Sequence, residues 1–538
     1  MNLRDLQLFA TIENTAEYRA IDQMMGAELA LTLFDRICSS YKNIAFQSLA
    51  MQLGLFSGDT GTTAFETGAR LLIACKDIGL YKLKSNETSV WVQPVLQFDE
   101  AERYLLDPMN FETHDAVDPV FDNEGIILSK FSQHDYPLNY EFLNKINKVP
   151  FELDMDILLN FSGENMPITY NQVTAEYLGK EIRFKWDYDS RGRSYSKGYG
   201  LNIQGNKTVR SVIQFKNKEV IKDIDPLYIA LANARGFDGW TWERRIAWAK
   251  KQPVTSGVIV PKDTKYPEKY VKAIQALIDY ENGTPSGFMM ELDATASGIQ
   301  LMACITGCEK TALETNLINP NKRKCPYRGI SQDMNKAGLD TTTLQVKYPC
   351  MTHYYNSTET PRKAFTAEEL EMFYECLDGR LPGAELAKNR LNQCWNASTK
   401  AHKLIYPDGH TMFFRTMTAK EGLYDYNDIE VAYKYFVNEG NKTSYRCLVP
   451  NIIHGLDGYV ARQMVLRATC ELVHVHDCFL FHPNYFGQVK QLYREILAEL
   501  VIDFNINHII KGLTGVDPQI YVNPSLADKI LLSSYALS

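Results

Sequence analysis

Apolar residues recur at helical spacing over residues 28–55 (Leu29, Leu33, Phe34, Ile37) and again over 63–75, so the first 80 residues predict helices. Residues 91–98 alternate apolar and polar, the pattern of a half-buried strand. Helical spacing returns over 140–159 and 169–178, with a break at Phe161-Ser162-Gly163-Glu164-Asn165. Residues 240–251 predict an amphipathic helix bearing Arg244, Arg245, Lys250 and Lys251. Two apolar runs meet carboxylates. One, residues 288–292, ends on Asp293 and is followed by small residues and a helix carrying Ile299, Leu301, Met302 and Ile305. The other is Leu472-Val473-His474-Val475-His476-Asp477-Cys478-Phe479-Leu480-Phe481, two short runs of strand formers around a His-Asp tip. The pattern predicts a mostly helical α+β chain.

Composition narrows the class. The 538 residues, 45% hydrophobic with 31 tyrosines, suffice for several domains or one large multi-lobed enzyme. No run of 18 apolar residues exists, and the first residues lack the basic-then-apolar order of a secretion signal. Eleven scattered cysteines, an odd number, fit a reduced, cytoplasmic protein better than a disulfide scaffold, and Cys304 and Cys308 lack a second pair at zinc spacing. The net charge of −8 does not advertise a nucleic-acid binder, but its distribution is uneven. Residues 99–124 hold nine acids and one arginine, whereas residues 181–251 hold fifteen Lys/Arg against eight Asp/Glu. A charge run is ordinarily a solvated face, so this asymmetry needs motifs beside it.

Three stretches carry candidate chemistry. In Asp187-Tyr188-Asp189-Ser190-Arg191-Gly192-Arg193-Ser194-Tyr195 two arginines flank a glycine among aromatics. Guanidinium forks bind phosphate, glycine lets backbone approach it, and aromatic rings stack on bases, although a turn with arginines paired to Asp187 and Asp189 reads equally well. Asp293 at a strand end suits a metal and a triphosphate, or simply the cap of the next helix. Asp477 at a hairpin tip suits a metal ligand, or a surface turn.

Taken together and in order, these stretches resemble the single-subunit, bacteriophage-type (T7-like and mitochondrial) RNA polymerases. Asp293-x-x-x-Ser297-Gly298-Ile299-Gln300 resembles their motif A, and Asp189-x-Arg191-Gly192-Arg193-x-Tyr195 their Asp-x-x-Gly-Arg signature, with the stretch from Asn202 to Asn206 after it. Lys347 with Tyr355 eight residues on resembles motif B, and His476-Asp477 motif C, preceded by Val449-Pro450-Asn451-Ile452-Ile453-His454-Gly455-Leu456-Asp457-Gly458 as in that family. The resemblance spans roughly residues 139–538. It implies a right-hand fold with palm and fingers, and nucleotidyl transfer from NTPs to an RNA 3′-OH on a DNA template, aided by two Mg²⁺ ions. Asp293 and Asp477, with the Ala294 carbonyl, would hold the metal; Ala294 stands where the family usually has glycine. Lys347 would face the triphosphate, Tyr355 the base of the nascent pair, and His454 the ribose 2′-OH. Arg191, Arg193 and Lys216 would lie around ribose, template and triphosphate, with Ser297, Gly298 and His476 beside them; for Lys216 an ordinary surface ion pair is almost as good a reading. His474 and His482 read as packed residues, not ligands.

The chain also departs from that pattern. Thr343 replaces an arginine four residues before Lys347, leaving Lys322, Arg323, Lys324 and Arg328 as candidate substitutes. Asn356 replaces the glycine after Tyr355, which suggests altered template handling, and Pro349 falls inside the expected fingers helix, where it would kink that helix or mark its start. The expected organisation is a reduced N-terminal domain (1–135), a helical segment with a shortened thumb (136–180), palm (181–310), fingers (311–445), and palm again with the C-terminal segment (446–538). Little room remains for a thumb between Leu159 and Thr169, and the segment from Tyr355 to His454 reads as compact, short of the family's promoter-reading hairpin. A minimal enzyme is therefore expected, in the manner of the N4-like phage polymerases, using a single-stranded template, an accessory protein, or both. The rival readings are an A-family DNA polymerase, disfavoured because Cys478 and not Glu follows Asp477, a primase-like maker of short RNAs, and a non-catalytic scaffold.

Overall fold

A computed structural model describes residues 16–26, 29–30, 33, 37, 43–86, 89–95, 136–161, 177–197, 201–257, 259–318, 322–415, 417–439 and 444–538. The acidic stretch 99–124 and residues 162–176, which hold the expected break after Phe161 and most of the expected helix 169–178, lie outside these residues. The chain divides into two compact units.

The first comprises Met1–Phe111, Ala397–Lys400 and Arg415–Asn441. The helix Gly61–Ala74 matches the expected 63–75, whereas Phe46–Phe56 covers only the end of the expected 28–55 helix, which the strand Ile44–Ala45 interrupts and of which most of 28–42 lies outside the described residues; the strand Val90–Pro94 pairs on one side with Tyr81–Ser85 and on the other with Ile44–Ala45. The segment expected to be compact contains a hairpin of two ten-residue strands, Met417–Tyr426 and Ile429–Asn438. Its turn is Asn427-Asp428, both at positive φ (50° and 62°), the geometry of a tight primed turn for which Asn and Asp are apt. One face of the hairpin joins the core of this unit: Val431 and Tyr433 are buried with Phe46 and Phe65, and the Tyr433 and Phe65 rings stack at 3.8 Å. The strands carry the alternation of a half-buried ribbon, with Tyr424, Tyr426, Val431, Tyr433 and Tyr435 turned to the core of this unit.

The second unit comprises Glu112–Asn396, Ala401–Phe414 and Lys442–Ser538. The expected helix over 140–159 is two helices, Tyr140–Asn147 and Met155–Phe161, parted by the strand Phe151–Leu153, because Val149-Pro150 cannot continue a helix. At its centre lies a three-stranded antiparallel sheet, Leu472–Val475, Cys478–Phe481 and Met290–Asp293, in that order. Val473, Leu480, Phe481, Met290 and Leu292 are buried in it. The helices Asp225–Arg235 and the twenty-residue, mostly buried Leu448–Arg467 pack on this sheet, and Ser297–Thr306 and Phe486–Asp503 pack against Leu448–Arg467 and against each other. The helix Thr343–Tyr354 begins with a capping box on Thr342 and Gln345 and accommodates Pro349 in its interior, with the Thr352 hydroxyl donating to the Tyr348 carbonyl at 2.9 Å.

The cationic helix of 240–251 is Trp242–Ala249, capped by Thr241. Arg245 on it faces inward, fully buried, and donates to the Trp240 carbonyl and to Asn233 at 3.1 and 2.9 Å. It is a structural arginine, not part of a solvated basic face. Among the described residues no helix is long and apolar enough to cross a membrane.

Candidate active site

The two carboxylates are brought together by strand register. Cys478 pairs with Asp293 across the sheet, so Asp477, the residue before Cys478, stands beside the end of the Asp293 strand, and the Ala294 amide donates to the Asp477 carbonyl at 3.2 Å. His476-Asp477 is the two-residue connection between Val475 and Cys478, with His476 at φ 56°, a left-handed conformation that non-glycine residues seldom adopt. The Tyr195 ring meets His476 edge-on at 5.5 Å and holds it there. Asp293 does not cap the next helix: that helix starts at Ser297, and its N-cap position is Ala296, at φ 54°. Burial, then repulsion from Asp477, pushes the Asp293 carboxyl up to about 7. A pair of carboxylates that resist joint ionisation is short of positive charge, which a divalent cation supplies; Mg²⁺ in particular takes one or two carboxylates and completes its shell with water and phosphate oxygens. The residues present therefore fit such an ion, with Asp293, Asp477 and the Ala294 carbonyl as its oxygen donors.

These residues open into a cavity of about 740 Å³, which His476 and Lys347 also line. Of the substitutes named for the missing motif B arginine, Arg323, Lys324 and Arg328 line it too, as does Thr343 itself. The Lys347 ammonium lies 5.9 Å from the Tyr327 ring. The cavity thus sets Asp293 and Asp477, with Glu291 and Asp238 further along its wall, among several cations, an arrangement suited to a metal-bound polyphosphate.

A second cluster stands on the Leu448–Arg467 helix. Asp189 organises the Arg-Gly-Arg turn: its Oδ1 accepts from the Arg191 and Arg193 amides at 2.9 and 3.1 Å, and its Oδ2 from Arg191 Nε at 2.8 Å. Arg191 Nη1 then reaches His454 Nδ1 at 2.8 Å, and Arg193 pairs with Asp457 at 2.7 Å. Burial and the two arginines drive His454 down to about 3, so its ring is neutral and accepts from Arg191. Burial pushes Asp457 up to about 6 against the pull of Arg193. The Tyr355 ring lies 5.2 Å from that of His454. Gly298 is required here: a Cβ on it would come within 2.8 Å of the Tyr355 hydroxyl, so the Ser297-Gly298 helix start is where the tyrosine comes close.

Two expectations are corrected. Lys216 is not brought to the cavity; it and Lys218 flank Glu152, each at 2.9 Å, and Lys216 is half-exposed there. Asn356 at φ 63° supplies the left-handed turn that a glycine would, and its side chain exchanges hydrogen bonds with Asn392 at 2.9 and 3.0 Å. Several cavity residues escaped sequence reasoning: Lys207, Arg210, Lys269, Tyr327 and Glu291. The available signal was Glu291, two residues before Asp293 on the same strand and hence on the same face. Asp457, one helical turn after His454, was legible in the same way. His474 and His482 are packed, the former against Ser194 Oγ at 2.8 Å and the latter against the Ser286 carbonyl at 3.2 Å.

No known family model matches the chain. Over 228 residues it is 28% identical to a DNA-directed RNA polymerase of Pseudomonas phage phiKMV, covering 35% of this chain and 28% of that protein. Over 382 residues it is 23% identical to a probable DNA-directed RNA polymerase of Neurospora crassa, covering 57% of this chain and 42% of that one. The chain thus spans less than half the length of either relative. Among solved structures it is similar to the polymerase domain of Pol1 from M. smegmatis, in complex with DNA primer-template and dNTP, at a TM-score of 0.31 and 14% identity over 64% of this chain and 47% of that one. The two sequence relatives make this chain similar to DNA-directed RNA polymerases of phage and fungal origin.

Proposed function

We propose that the chain is a single-subunit DNA-directed RNA polymerase that joins NTPs to an RNA 3′-OH. The observation that carries this reading is the pairing of Cys478 with Asp293, which sets two carboxylates side by side at a cation-lined cavity. Asp293 and Asp477 would hold Mg²⁺, two ions in the full reaction, with the Ala294 carbonyl as a further oxygen donor. When bound, the metal lowers the charge on the attacking and leaving oxygens. Lys347 orients the triphosphate and screens its charge. Tyr355 and the neutral His454, fixed by Arg191, form the wall against the ribose and its 2′-OH. Arg193, tied to Asp457, keeps the turn bearing Arg191 in place. Ser297 and Gly298 set the distance between the helix start and Tyr355. His476 supports the hairpin tip.

The partners in this reading are a DNA template, nascent RNA and NTPs. Promoter recognition by the long hairpin is disfavoured by its charge: residues 417–438 contain Lys420 and Lys434 against Glu421, Asp425, Asp428 and Glu430. A hairpin entering a DNA groove needs cations for the phosphates. Initiation on single-stranded DNA or with an accessory protein follows.

Purified chain with Mg²⁺ and either rNTPs or dNTPs, on primed, single-stranded and duplex promoter templates, tests the whole reading. The expected result is ribonucleotide incorporation, lost in Asp477→Asn with template binding retained, and stronger on single-stranded than on duplex DNA. Incorporation of dNTPs alone, or none at all, overturns the polymerase assignment; equal, sequence-specific activity on duplex overturns the initiation mode.

A further inference from the structure

Arg210 ends the short Lys207–Ser211 helix on the wall of the Asp293–Asp477 cavity. Only 6% of its surface is exposed, yet among the described residues its Nε and Nη1 have no hydrogen-bond acceptor. Its Nη2 stands 3.8 Å from Glu291, a carboxylate already taken in an ion pair by Lys269. A buried guanidinium with idle N–H groups is costly, because each lost water contact goes unreplaced. Such a group, facing a cavity, is complete only when an anion enters.

The surroundings say how much charge that anion carries. Lys207, whose ammonium lies 3.4 Å from the Tyr266 ring centre, adds a third cation to Arg210 and Lys269, and Glu291 is the carboxylate they share. This side of the cavity therefore carries an excess of about two positive charges. It belongs to a different part of the chain from Lys347.

We propose that Arg210, Lys207 and Lys269 form a subsite for the pyrophosphate leaving group. The inference rests on the polymerase reading. The 3′-oxygen forms a bond to the α-phosphorus as its proton passes to water. The α-phosphorus–oxygen bond to the β-phosphate breaks, and its electron pair stays on pyrophosphate. The idle Arg210 N–H groups donate hydrogen bonds to the oxygens on which that charge grows and hold the product until it leaves. In the reverse direction the same groups hold pyrophosphate for attack on the RNA end.

Titration calorimetry of inorganic pyrophosphate into the full chain, with Mg²⁺, measures the subsite without turnover. Arg210→Gln is expected to weaken binding about 10- to 100-fold, the worth of one or two charge-assisted hydrogen bonds, and Arg210→Lys to weaken it less. Half-maximal pyrophosphorolysis of a primed RNA–DNA hybrid should need correspondingly more pyrophosphate in Arg210→Gln, while fluorescence anisotropy of labelled single-stranded DNA stays at the wild-type value. Unchanged pyrophosphate affinity in Arg210→Gln, no pyrophosphate binding by the wild type, or a loss confined to DNA affinity overturns the subsite. Should Arg210→Gln fail to fold by circular dichroism, Lys207→Gln takes its place, with weaker pyrophosphate binding expected and unchanged binding overturning it. A chain that makes no RNA but binds pyrophosphate through Arg210 keeps the subsite and loses the polymerase; RNA synthesis with unaltered pyrophosphate binding in Arg210→Gln does the reverse.

Discussion

Adding one methyl group at Gly458 should disable the site from behind. Gly458 lies on the Leu448–Arg467 helix against the Arg-Gly-Arg turn, and a Cβ there would stand 2.5 Å from the Gly192 carbonyl oxygen, 2.8 Å from its carbon and 3.1 Å from the Arg193 amide nitrogen. Ordinary carbon contacts begin near ~3.5 Å, so the turn or the helix must give by close to an ångström. Neither yields easily. Arg462, 1% exposed, ties the same turn to the same helix through the Gly192 carbonyl at 2.5 Å and is itself paired with the buried Asp408. Overpacking of this kind costs about 1–3 kcal/mol. The functional cost is expected to be larger, because the displaced turn carries Arg191 to His454 and Arg193 to Asp457; a 1 Å misplacement in a positioned site costs roughly 100-fold in rate. Urea denaturation and RNA synthesis on a primed template measure the two separately. Gly458→Ala with stability within ~0.5 kcal/mol of wild type and undiminished synthesis would refute the reasoning, since the turn would then be free to move without consequence.

Other positions give equally concrete expectations. His474, buried and neutral, is held down to about 3 by burial and then by His476, so the unfolded chain takes up a proton below about 6.5 that the folded chain refuses. Its contribution is complete above that pH and is lost as pH falls toward 3; His474→Gln should be less stable than wild type at pH 7, with the gap narrowing by about 2 kcal/mol at pH 5, and a pH-independent gap in urea melts would count against it. At Asn356, Ala should cost about 1–2 kcal/mol in strain on top of the lost Asn392 contacts, and Gly only the contacts, so thermal melts should rank wild type, Gly, Ala; the reverse order of Gly and Ala would remove the left-handed argument. Lys216→Ala should leave the NTP KM unchanged and stability within ~1 kcal/mol, because its partner Glu152 retains Lys218; a rise in KM would return Lys216 to the site.

What could be read from the sequence followed the range of the forces involved. Asp293 and Asp477 are legible as candidates because each sits where a local pattern changes, at a strand end and at a hairpin tip, whereas Lys347 enters only through the motif spacing of the resemblance. Arg210 and Lys269 carry no mark in their own neighbourhood; their meaning comes from Glu291, which lies 81 and 22 residues away along the chain, whereas Asp457 stands one turn from His454 but gains its partner Arg193 only across 264 residues. Lys216 was over-read for the converse reason, since local basicity cannot reveal that Glu152 lies opposite. The length of the segment from Tyr355 to His454 suggests a compact connection, whereas the hairpin Met417–Asn438 within it is defined by a distant partner, the core with Phe46 and Phe65 that its inward face joins.

The register of Cys478 against Asp293 has a consequence for how the protein comes into being. The strand that carries Asp293 is translated long before its neighbour, and it must wait for Cys478–Phe481 to emerge from the ribosome before its edge is closed. Until that moment a nascent chain carries one acidic corner of the centre, and a slip of one residue on closing would turn Asp293 toward the opposite face. A chain truncated by a premature stop before residue 478 would accordingly be inert and would keep an open strand edge, the feature that invites aggregation and disposal. The last strand to arrive therefore acts as a proofreading step on synthesis of the protein itself.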